Sequence, residues 1–262
     1  MSQAKLAENM AKRTAQVVDT TRPCPVCSFG KTSFFTEKNG YGFLKCPDCE
    51  LVFIHPELPP SDLAVLYHEQ GAPEEGLRYP YNKVDHRRKR AKIRAMRFAK
   101  YFSGKDGIDI GCGGGYMVDA MKNAGAKRAV GIDLDQEAIA FGQKNHNAAA
   151  EFYCQPLEEF IRCGETFDFG HSSQVIEHVG NFNDFVAGWA KAIKPGGHFF
   201  LKTPDRNHWL TGEKPETWPG PPQYTQYFSR RNIRLLLEKH GFEVVKIFFN
   251  VKPTMEILAR RK

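Results

Sequence analysis

Apolar and polar residues alternate in two different ways along this chain, and the change lies near residue 105. Beyond it, short apolar runs have the length of buried strands, at 108–110, 129–132, 152–154, 167–170 and 199–201. Segments with helical periodicity follow these runs, at 116–123, 136–145, 157–160 and 182–193. Ser229 caps a further helix that runs to His240, and strands are expected at 243–249 and 255–259. Regular strand–helix alternation predicts an α/β fold, with a parallel sheet covered by helices on both faces.

The residues before 105 lack this alternation and divide into three segments. Residues 1–22 form an N-terminal segment, helical or disordered, and residues 23–60 form a small module of short strands and turns. Residues 61–104 are expected to be a linker, with a short helix capped by Ser61, followed by a basic helix from about 82 to 101. Residues 105–262 then form the main domain.

The basic helix carries much of the positive charge of the chain. Residues 86–97 (HRRKRAKIRAMR) contribute strongly to a net charge of +7 and a pI near 9.0. This balance favours acidic partners, such as nucleic acid, anionic lipid or phosphorylated metabolites. We interpret the run as the solvated face of a helix whose other face uses Ile93, Met96 and Phe98. A dedicated polyanion site is the alternative.

Composition excludes several classes of protein. With 262 residues, 41% of them hydrophobic, the chain can bury one full core and an appended module, which excludes wholesale disorder. No apolar run approaches the roughly 18 residues of a membrane span, and the N-terminus lacks the apolar core of a secretory signal. Seven cysteines, an odd number, then indicate reduced thiols in a cytoplasmic setting.

Four of the seven cysteines form two C-x-x-C pairs. Cys24 and Cys27 are separated from Cys46 and Cys49 by 18 residues, a spacing at which two pairs converge on one tetrahedral zinc. The intervening segment is too small to bury a core, so a metal would supply its folding free energy. Redox pairs and incidental thiols are the alternatives, but the βαβ context of a redox C-x-x-C is missing. We predict a structural zinc ribbon, and no catalysis at the metal because all four ligand positions are filled.

The most specific chemical signal is the stretch 108–116 (IDIGCGGGY), where an apolar strand opens through glycines into a helix. Glycine permits such a tight turn and leaves room for a cofactor against the backbone. A dinucleotide fingerprint needs G-x-G-x-x-G, but its third glycine position holds Tyr116. With Asp109 two residues before Gly111, the stretch resembles motif I of the class I S-adenosylmethionine (SAM)-dependent methyltransferases.

Later segments extend this resemblance over about residues 105–249. Residues 131–133 are similar to the acidic end of the family's second strand, 176–179 (IEHV) to its EHV signature, and 193–197 (IKPGG) to the turn before strand five. Residues 228–242 are similar to the terminal helix and strand of small-molecule members. The resemblance implies a Rossmann-like, seven-stranded, mostly parallel sheet with helices on both faces, preceded here by the small zinc-ribbon-like module.

The resemblance also implies which residues bind SAM. Asp109 should hold the methionine amino group, with Gly111 and Gly113 lining the cofactor. Asp133 should hold the ribose, because a carboxylate can accept both hydroxyl protons. The remaining implied positions are Gln155 and Leu157 near the adenine, and Ser172 and Ser173 near the methyl group.

Three histidines are candidates for the base that takes a proton from the methyl acceptor: His171, His178 and His208. His171 could equally be a hydrogen-bonded partner of a neighbouring carbonyl. In the ubiquinone-pathway O-methyltransferases, which this segment resembles, E-x-x-E-H helps to hold a divalent ion. Here the first position is Gln174, with Glu177 retained before His178. A neutral amide in place of a hard anionic ligand argues against a catalytic metal.

The loop from Thr203 to Gln226 is long for an α/β connection, a property of lids and substrate walls. Its aromatic residues are expected either to line a substrate pocket or to pack against the ribbon module. They are Trp209, Trp218, Tyr224 and, just beyond the loop, Tyr227.

The methyl acceptor is left open by the sequence. The first hypothesis is an oxygen or carbon of a small molecule: a sugar, a glycan precursor or another metabolite. An N-terminal four-cysteine ribbon resembles bacterial sugar C-methyltransferases, although their long C-terminal domain is missing here. The alternative is RNA, because ribosomal guanine-N1 methyltransferases also carry an N-terminal zinc finger and the basic run would suit RNA. Against RNA, no N/D-P-P-Y/F segment follows strand four. A third hypothesis is a SAM-binding interaction protein without catalysis.

Overall fold

The computed structural model describes residues 22–38, 41–57, 82–208, 210 and 224–262. These residues form two sheets, one of four strands and one of seven. The predicted N-terminal segment lies outside the described residues, as do the short helix expected after Ser61, Trp209 and Trp218. No helix in the described ranges combines the length and hydropathy that crossing a bilayer requires.

The seven-stranded sheet confirms the predicted Rossmann-like, mostly parallel fold. Its strands are β4 (Asp106–Ile110), β5 (Arg128–Asp133), β6 (Glu151–Cys154), β7 (Phe167–Ser173), β8 (Ile193–Pro204), β10 (Phe242–Phe248) and β11 (Thr254–Arg261). The order is β10-β11-β8-β7-β4-β5-β6, and the strands from β8 to β6 pair in parallel. Strand β11 is antiparallel to both of its neighbours. The parallel strands place their carboxyl ends at one edge, where ligands bind in such sheets.

The helices begin close to where the polar and apolar pattern predicts. They are α1 (Val84–Phe102), α2 (Tyr116–Asn123), α3 (Gln136–Asn145), α4 (Leu157–Phe160), α5 (Phe182–Ala192) and α6 (Arg230–Lys239). Side-chain caps explain three of the starts: Asp135 caps α3, Asn181 caps α5, and Ser229 caps α6 in a capping box with Asn232. The turn predicted at 194–197 lies inside β8, as an irregularity in its pairing with β7.

The buried face of α1 differs from the predicted one. Ile93 and Met96 are 53% and 57% exposed, whereas the helix buries Ala91, Ala95 and Phe102 together with the predicted Phe98. The two alanines are small enough to let the helix backbone approach the sheet, and the ring of Phe98 then packs at 4.8 Å from that of Phe200. The hydrophobicity of single residues therefore did not identify the buried face of α1. The positions of the small alanines, which allow close approach to the sheet, identify it.

The smaller sheet joins the N-terminal module to the main domain. Its strands β1 (Ser33–Lys38), β2 (Tyr41–Lys45) and β3 (Val52–His55) form an antiparallel meander, and β9 (Gln226–Tyr227) adds the fourth strand from the far end of the chain. The module also shares one hydrophobic core with the main domain, in which Leu51 and Phe53 belong to the same cluster as Leu236 and Leu237 of α6.

Candidate functional site

The turn after β4 brings the backbone close to a neighbouring loop and leaves no space for side chains. Gly111 has a φ of 74°, and a Cβ there would lie 2.3 Å from Cγ2 of Val175. Gly113 has a φ of 50°, and Gly115, with a φ of 77°, precedes the first residue of α2. Only glycine adopts these conformations readily. The turn therefore presents bare backbone at the carboxyl edge of the sheet, as predicted for a cofactor site.

Asp133, at the end of β5, is held by two backbone amides. Its Oδ2 accepts from the N–H of Gly113 at 2.6 Å, and its Oδ1 accepts from the N–H of Asp135 at 3.0 Å. Each carboxylate oxygen has a second acceptor position, which matches a pair of vicinal hydroxyls. Burial raises the pKa of Asp133 above its ordinary value, and the two amide hydrogen bonds oppose that effect.

Asp109 forms a buried hydrogen-bonded chain with His171 and Arg94. Strands β4 and β7 place Asp109 and His171 side by side in register, and Nδ1–H of His171 donates to Oδ1 of Asp109 at 2.6 Å. Nη1 of Arg94 donates to Nε2 of His171 at 3.2 Å. Because a guanidinium is a donor only, Nε2 must be the unprotonated nitrogen and the ring is neutral. Burial also lowers the pKa of His171.

One cavity of about 1470 Å³ opens at this edge of the sheet. That volume exceeds the ~300–1,000 Å³ of a typical single-ligand pocket, so it has room for a cofactor and an acceptor together. The predicted residues that line it are Asp109, Gly111, Gly113, Asp133, Gln155, Leu157, His171, Ser173 and His178.

Two of the residues predicted to bind SAM or to act as the base are not among those that line the cavity. Ser172 is fully buried, and its hydroxyl has no hydrogen-bond partner among the described residues. His208 is also buried: its Nε2 lies 2.9 Å from the carbonyl oxygen of Asn250, and its Nδ1 accepts from the N–H of Leu210. Backbone groups thus engage both ring nitrogens of His208, an arrangement that holds the loop after β8.

His178 lines the cavity beside a buried carboxyl group. Its Nε2 lies 4.0 Å from Oε1 of Glu177, and its ring packs 5.0 Å from that of Tyr224. Glu177 is 1% exposed, and its Oε2 accepts from the hydroxyl of Thr203 at 3.0 Å. Burial raises the pKa of Glu177 to about 7.

These residues do not fit a catalytic divalent metal. Glu177 is not among the residues that line the cavity, and Gln174 contributes only an amide. Within the described part of the chain, the four N-terminal cysteines are the only cluster of three or more metal-binding side chains. The argument from Gln174 against a catalytic metal stays a prediction.

One face of α1 lines the cavity, although the sequence interpretation placed its charges in solvent. His86, Arg87, Arg90 and Arg94 follow one another along the helix at cavity-facing positions. Spacings of three and four residues place side chains on one helix face, so the run 86–97 contained this signal. The sequence did not show which face turns inward, because that depends on how α1 packs on the sheet.

The four predicted zinc ligands lie together in two matching turns. Their sulfur atoms are within 4.8 Å of one another, and three of the four cysteines are buried. The N–H of Ser28 donates to the carbonyl of Cys24, and that of Glu50 to the carbonyl of Cys46, each at 3.0 Å. Ser28 and Glu50 both have a φ near 60°. A tetrahedral site with Zn–S bonds of about 2.3 Å needs sulfur atoms ~3.8 Å apart, which this cluster approaches, so the residues fit a Cys₄ zinc site.

Comparison with protein families identifies the domain around the cavity. A family model described as a methyltransferase domain matches residues 83–247. That range includes α1 and all the residues predicted to bind SAM, and it excludes the four cysteines.

Curated relatives are similar over part of their lengths. The chain is 29% identical over 156 residues to a probable S-adenosylmethionine-dependent methyltransferase of Mycolicibacterium smegmatis, which is 60% of this chain and 59% of the relative. It is 34% identical over 116 residues to a ubiquinone biosynthesis O-methyltransferase of Mesorhizobium japonicum, which is 43% of this chain and 46% of the relative. The chain thus spans less than two thirds of the length of either.

Solved structures share the fold at low sequence identity. An S-adenosylmethionine-dependent methyltransferase of Mesorhizobium loti superposes with a TM-score of 0.55 at 18% identity, covering 65% of this chain and 98% of that one. A SAM-dependent methyltransferase of Archaeoglobus fulgidus gives 0.54 at 17% identity, covering 66% and 94%. At this identity the similarity supports the fold alone.

Proposed function

Because this chain belongs to the methyltransferase-domain family, we propose that it moves a methyl group from SAM to an oxygen or carbon of a small molecule. The observation that carries the proposal is a single cavity that joins the glycine turn, Asp109 and Asp133 to a space large enough for a second ligand. The O-methyltransferase relative supports oxygen as the accepting atom.

The donor side of the cavity would hold SAM by its polar ends. Asp133, already oriented by two amides, would accept the ribose hydroxyls. Asp109, which accepts a hydrogen bond from His171, would also accept from the methionine amino group. Bound there, SAM supplies a sulfonium-activated methyl group that transfers by in-line displacement. The remaining task of the protein is to align the acceptor and exclude water.

His178 is our candidate for the base that takes the proton of the acceptor. It lines the cavity beside the buried carboxyl group of Glu177. Asp109 and Arg94 engage the ring nitrogens of His171, and backbone groups engage those of His208, which does not line the cavity. The nearby carboxyl of Glu177 would stabilise the imidazolium that forms. His171 would act as a positioning residue for Asp109.

The four-cysteine module would hold a structural zinc. The supporting observations are its two matching turns and the convergence of all four sulfur atoms. Such a site needs reduced thiols, which supports the cytoplasmic location expected from the cysteine count. Because the cysteines pack into the core shared with α6, the zinc would stabilise the wall of the main domain rather than bind an acceptor.

The test of the donor site is calorimetric titration of SAM into the full chain. Asp133→Ala should weaken binding at least a hundredfold, since it removes both acceptors for the ribose hydroxyls. Asp135→Asn is the matched control, because its side chain caps α3 and is not among the cavity-lining residues. Unchanged affinity in Asp133→Ala would exclude the assigned site.

The acceptor is tested with methyl-labelled SAM. We expect label to enter a metabolite extract and not total RNA from the same cells. Labelled RNA with an unlabelled metabolite fraction would favour the RNA hypothesis, and SAM binding without label in either fraction would favour a non-catalytic binding protein.

A further inference from the structure

On the α1 side of the cavity, the cationic side chains outnumber the carboxylates that form ion pairs with them. Arg94, Arg97 and Lys202 all contact one acidic side chain, Glu256, at 3.9, 3.1 and 3.3 Å. Arg90, one turn before Arg94, lines the cavity and has no carboxylate within ion-pair distance among the described residues. The group therefore carries a surplus of positive charge.

Burial makes this surplus costly. Lys202 is 5% exposed, and the side chain of Arg94 is 17% exposed. Desolvation lowers the pKa of both groups, and the positive charge of Arg90 lowers both further. Cations drawn out of water next to one another destabilise a protein unless an anion joins them. Because the surplus faces the cavity, that anion can come from a ligand.

Neither SAM nor the other carboxylates of the cavity supply enough negative charge. The sulfonium and amino group of SAM outweigh its single carboxylate, so bound SAM adds a net positive charge. Asp109 and Asp133 are committed to the donor side, and Glu57 forms an ion pair with Arg22. Glu158 and Asp184 also line the cavity, from α4 and the start of α5, but among the described residues Arg94 and Lys202 form ion pairs only with Glu256, and Arg90 forms none.

We propose that the methyl acceptor is an anionic small molecule whose carboxylate or phosphate group binds between Arg90, Arg94 and Lys202. The inference rests on the proposed function and narrows its substrate class. The guanidinium groups of arginine and the ammonium group of lysine can each bind a carboxylate or a phosphate. The geometry favours a small anion over RNA, because Arg94 and Lys202 are largely removed from solvent beside the buried His171, and only Arg90 is exposed.

Three probes that differ in charge test the proposal: phenyl phosphate, benzoate and neutral benzyl alcohol. Each is titrated by calorimetry into the zinc-loaded full chain saturated with S-adenosylhomocysteine, in 150 mM KCl. At least one of the two anions should bind tenfold or more tightly than benzyl alcohol, and the stronger anion identifies the oxyanion type. Arg90→Gln should weaken that anion at least fivefold.

Lys92→Gln is the matched control, because Lys92 is an exposed cation on the same helix that is not among the cavity-lining residues. It should change anion binding less than twofold, and neither variant should change the affinity for S-adenosylhomocysteine.

Equal binding of the three probes, or no binding of any, would overturn the proposal. So would equal losses in both variants, which indicate only the net charge of the helix. A loss of S-adenosylhomocysteine binding in Arg90→Gln would assign this arginine to the donor instead, whereas weak donor binding in the unaltered chain would contradict the proposed function itself.

Discussion

The ring of His171 is neutral because its two neighbours require it to be. Asp109 accepts from Nδ1–H and Arg94 donates to Nε2, so a second ring proton would point at a guanidinium. The ring also stacks on Phe200, with centroids 5.3 Å apart and planes 7° from parallel. His171 therefore holds the carboxylate of Asp109 towards the cavity and cannot itself accept a proton without breaking this chain.

The buried neutral ring predicts a pH dependence of stability. Burial keeps the pKa of His171 below the ~6.5 of an exposed imidazole. Above that pH both folded and unfolded states are neutral, and below it only the unfolded state takes up the proton readily. The free energy of unfolding should therefore fall as pH drops from 7 towards 5, with a contribution from His171 of at most ~1.4 kcal/mol per pH unit.

Urea unfolding at pH 7.0, 6.0 and 5.5 measures this slope. His171→Asn keeps a donor near Asp109 but cannot titrate, so its slope should be shallower than that of the unaltered chain. His86→Asn, which removes an exposed imidazole from α1, is the control for the substitution itself. Equal slopes with and without His171 would contradict the neutral ring.

Strand β9 connects the small module to the residues around Glu177 and His178. Its Gln226 pairs with Phe53 of β3, and the preceding Thr225 donates through its backbone N–H to the carbonyl of Glu177 at 2.9 Å. Tyr227 packs on Phe43 of the module at 5.4 Å, and Tyr224 packs on His178. The two tyrosines thus combine the alternatives expected from the sequence: one contacts the ribbon and the other lines the pocket.

Loss of the zinc should destabilise the main domain as well as the module, because they share one core. We expect the double substitution Cys24→Ser with Cys49→Ser to remove one bound zinc per chain, measured by elemental analysis. A loss of ~4 kcal/mol would lower the melting temperature by roughly 10 °C, in a single transition.

Arg231→Ala is the control for contacts at this interface. It removes an ion pair with Asp48 between side chains that are 57% and 43% exposed. Exposed pairs contribute about 0–1 kcal/mol, so the melting temperature should move by no more than ~3 °C, with zinc content unchanged. Full zinc occupancy in the double variant would contradict the assigned zinc ligands. An unaltered melting temperature after zinc loss would argue against the shared core.

The seven-stranded sheet depends on a strand that lies outside the residues matched by the family model. The matched range ends at residue 247, but β11 (Thr254–Arg261) lies between β8 and β10 and pairs with both. Met255 and Ile257 are fully buried in the core, and Glu256 anchors the cations of the cavity. A central strand with two partners cannot be lost without opening the sheet.

Deleting residues 254–262 should therefore abolish cooperative folding, although it removes nothing from the family match. Circular dichroism during thermal unfolding should show no sigmoidal transition, because β8 and β10 lose their shared partner. Phe249→Ser, at a position that is 76% exposed, is a control in the preceding loop and should melt like the unaltered chain. A cooperative melt of the truncated chain would show that β11 is dispensable.

The sequence alone predicts the alternation of apolar strands and helices. It also shows the glycine turn at Gly111, the acids at Asp109 and Asp133, and the paired cysteines. Each of these is a local signal, set by the residues within one turn or one strand end. Local signals did not predict which face of α1 turns inward, the protonation state of the His171 ring or the position of β11 in the sheet. They depend on contacts between residues far apart in the chain, such as Arg94 with His171 and Glu256. Local chemistry thus predicted the methyl donor, and tertiary packing alone brought together the cations that line the cavity.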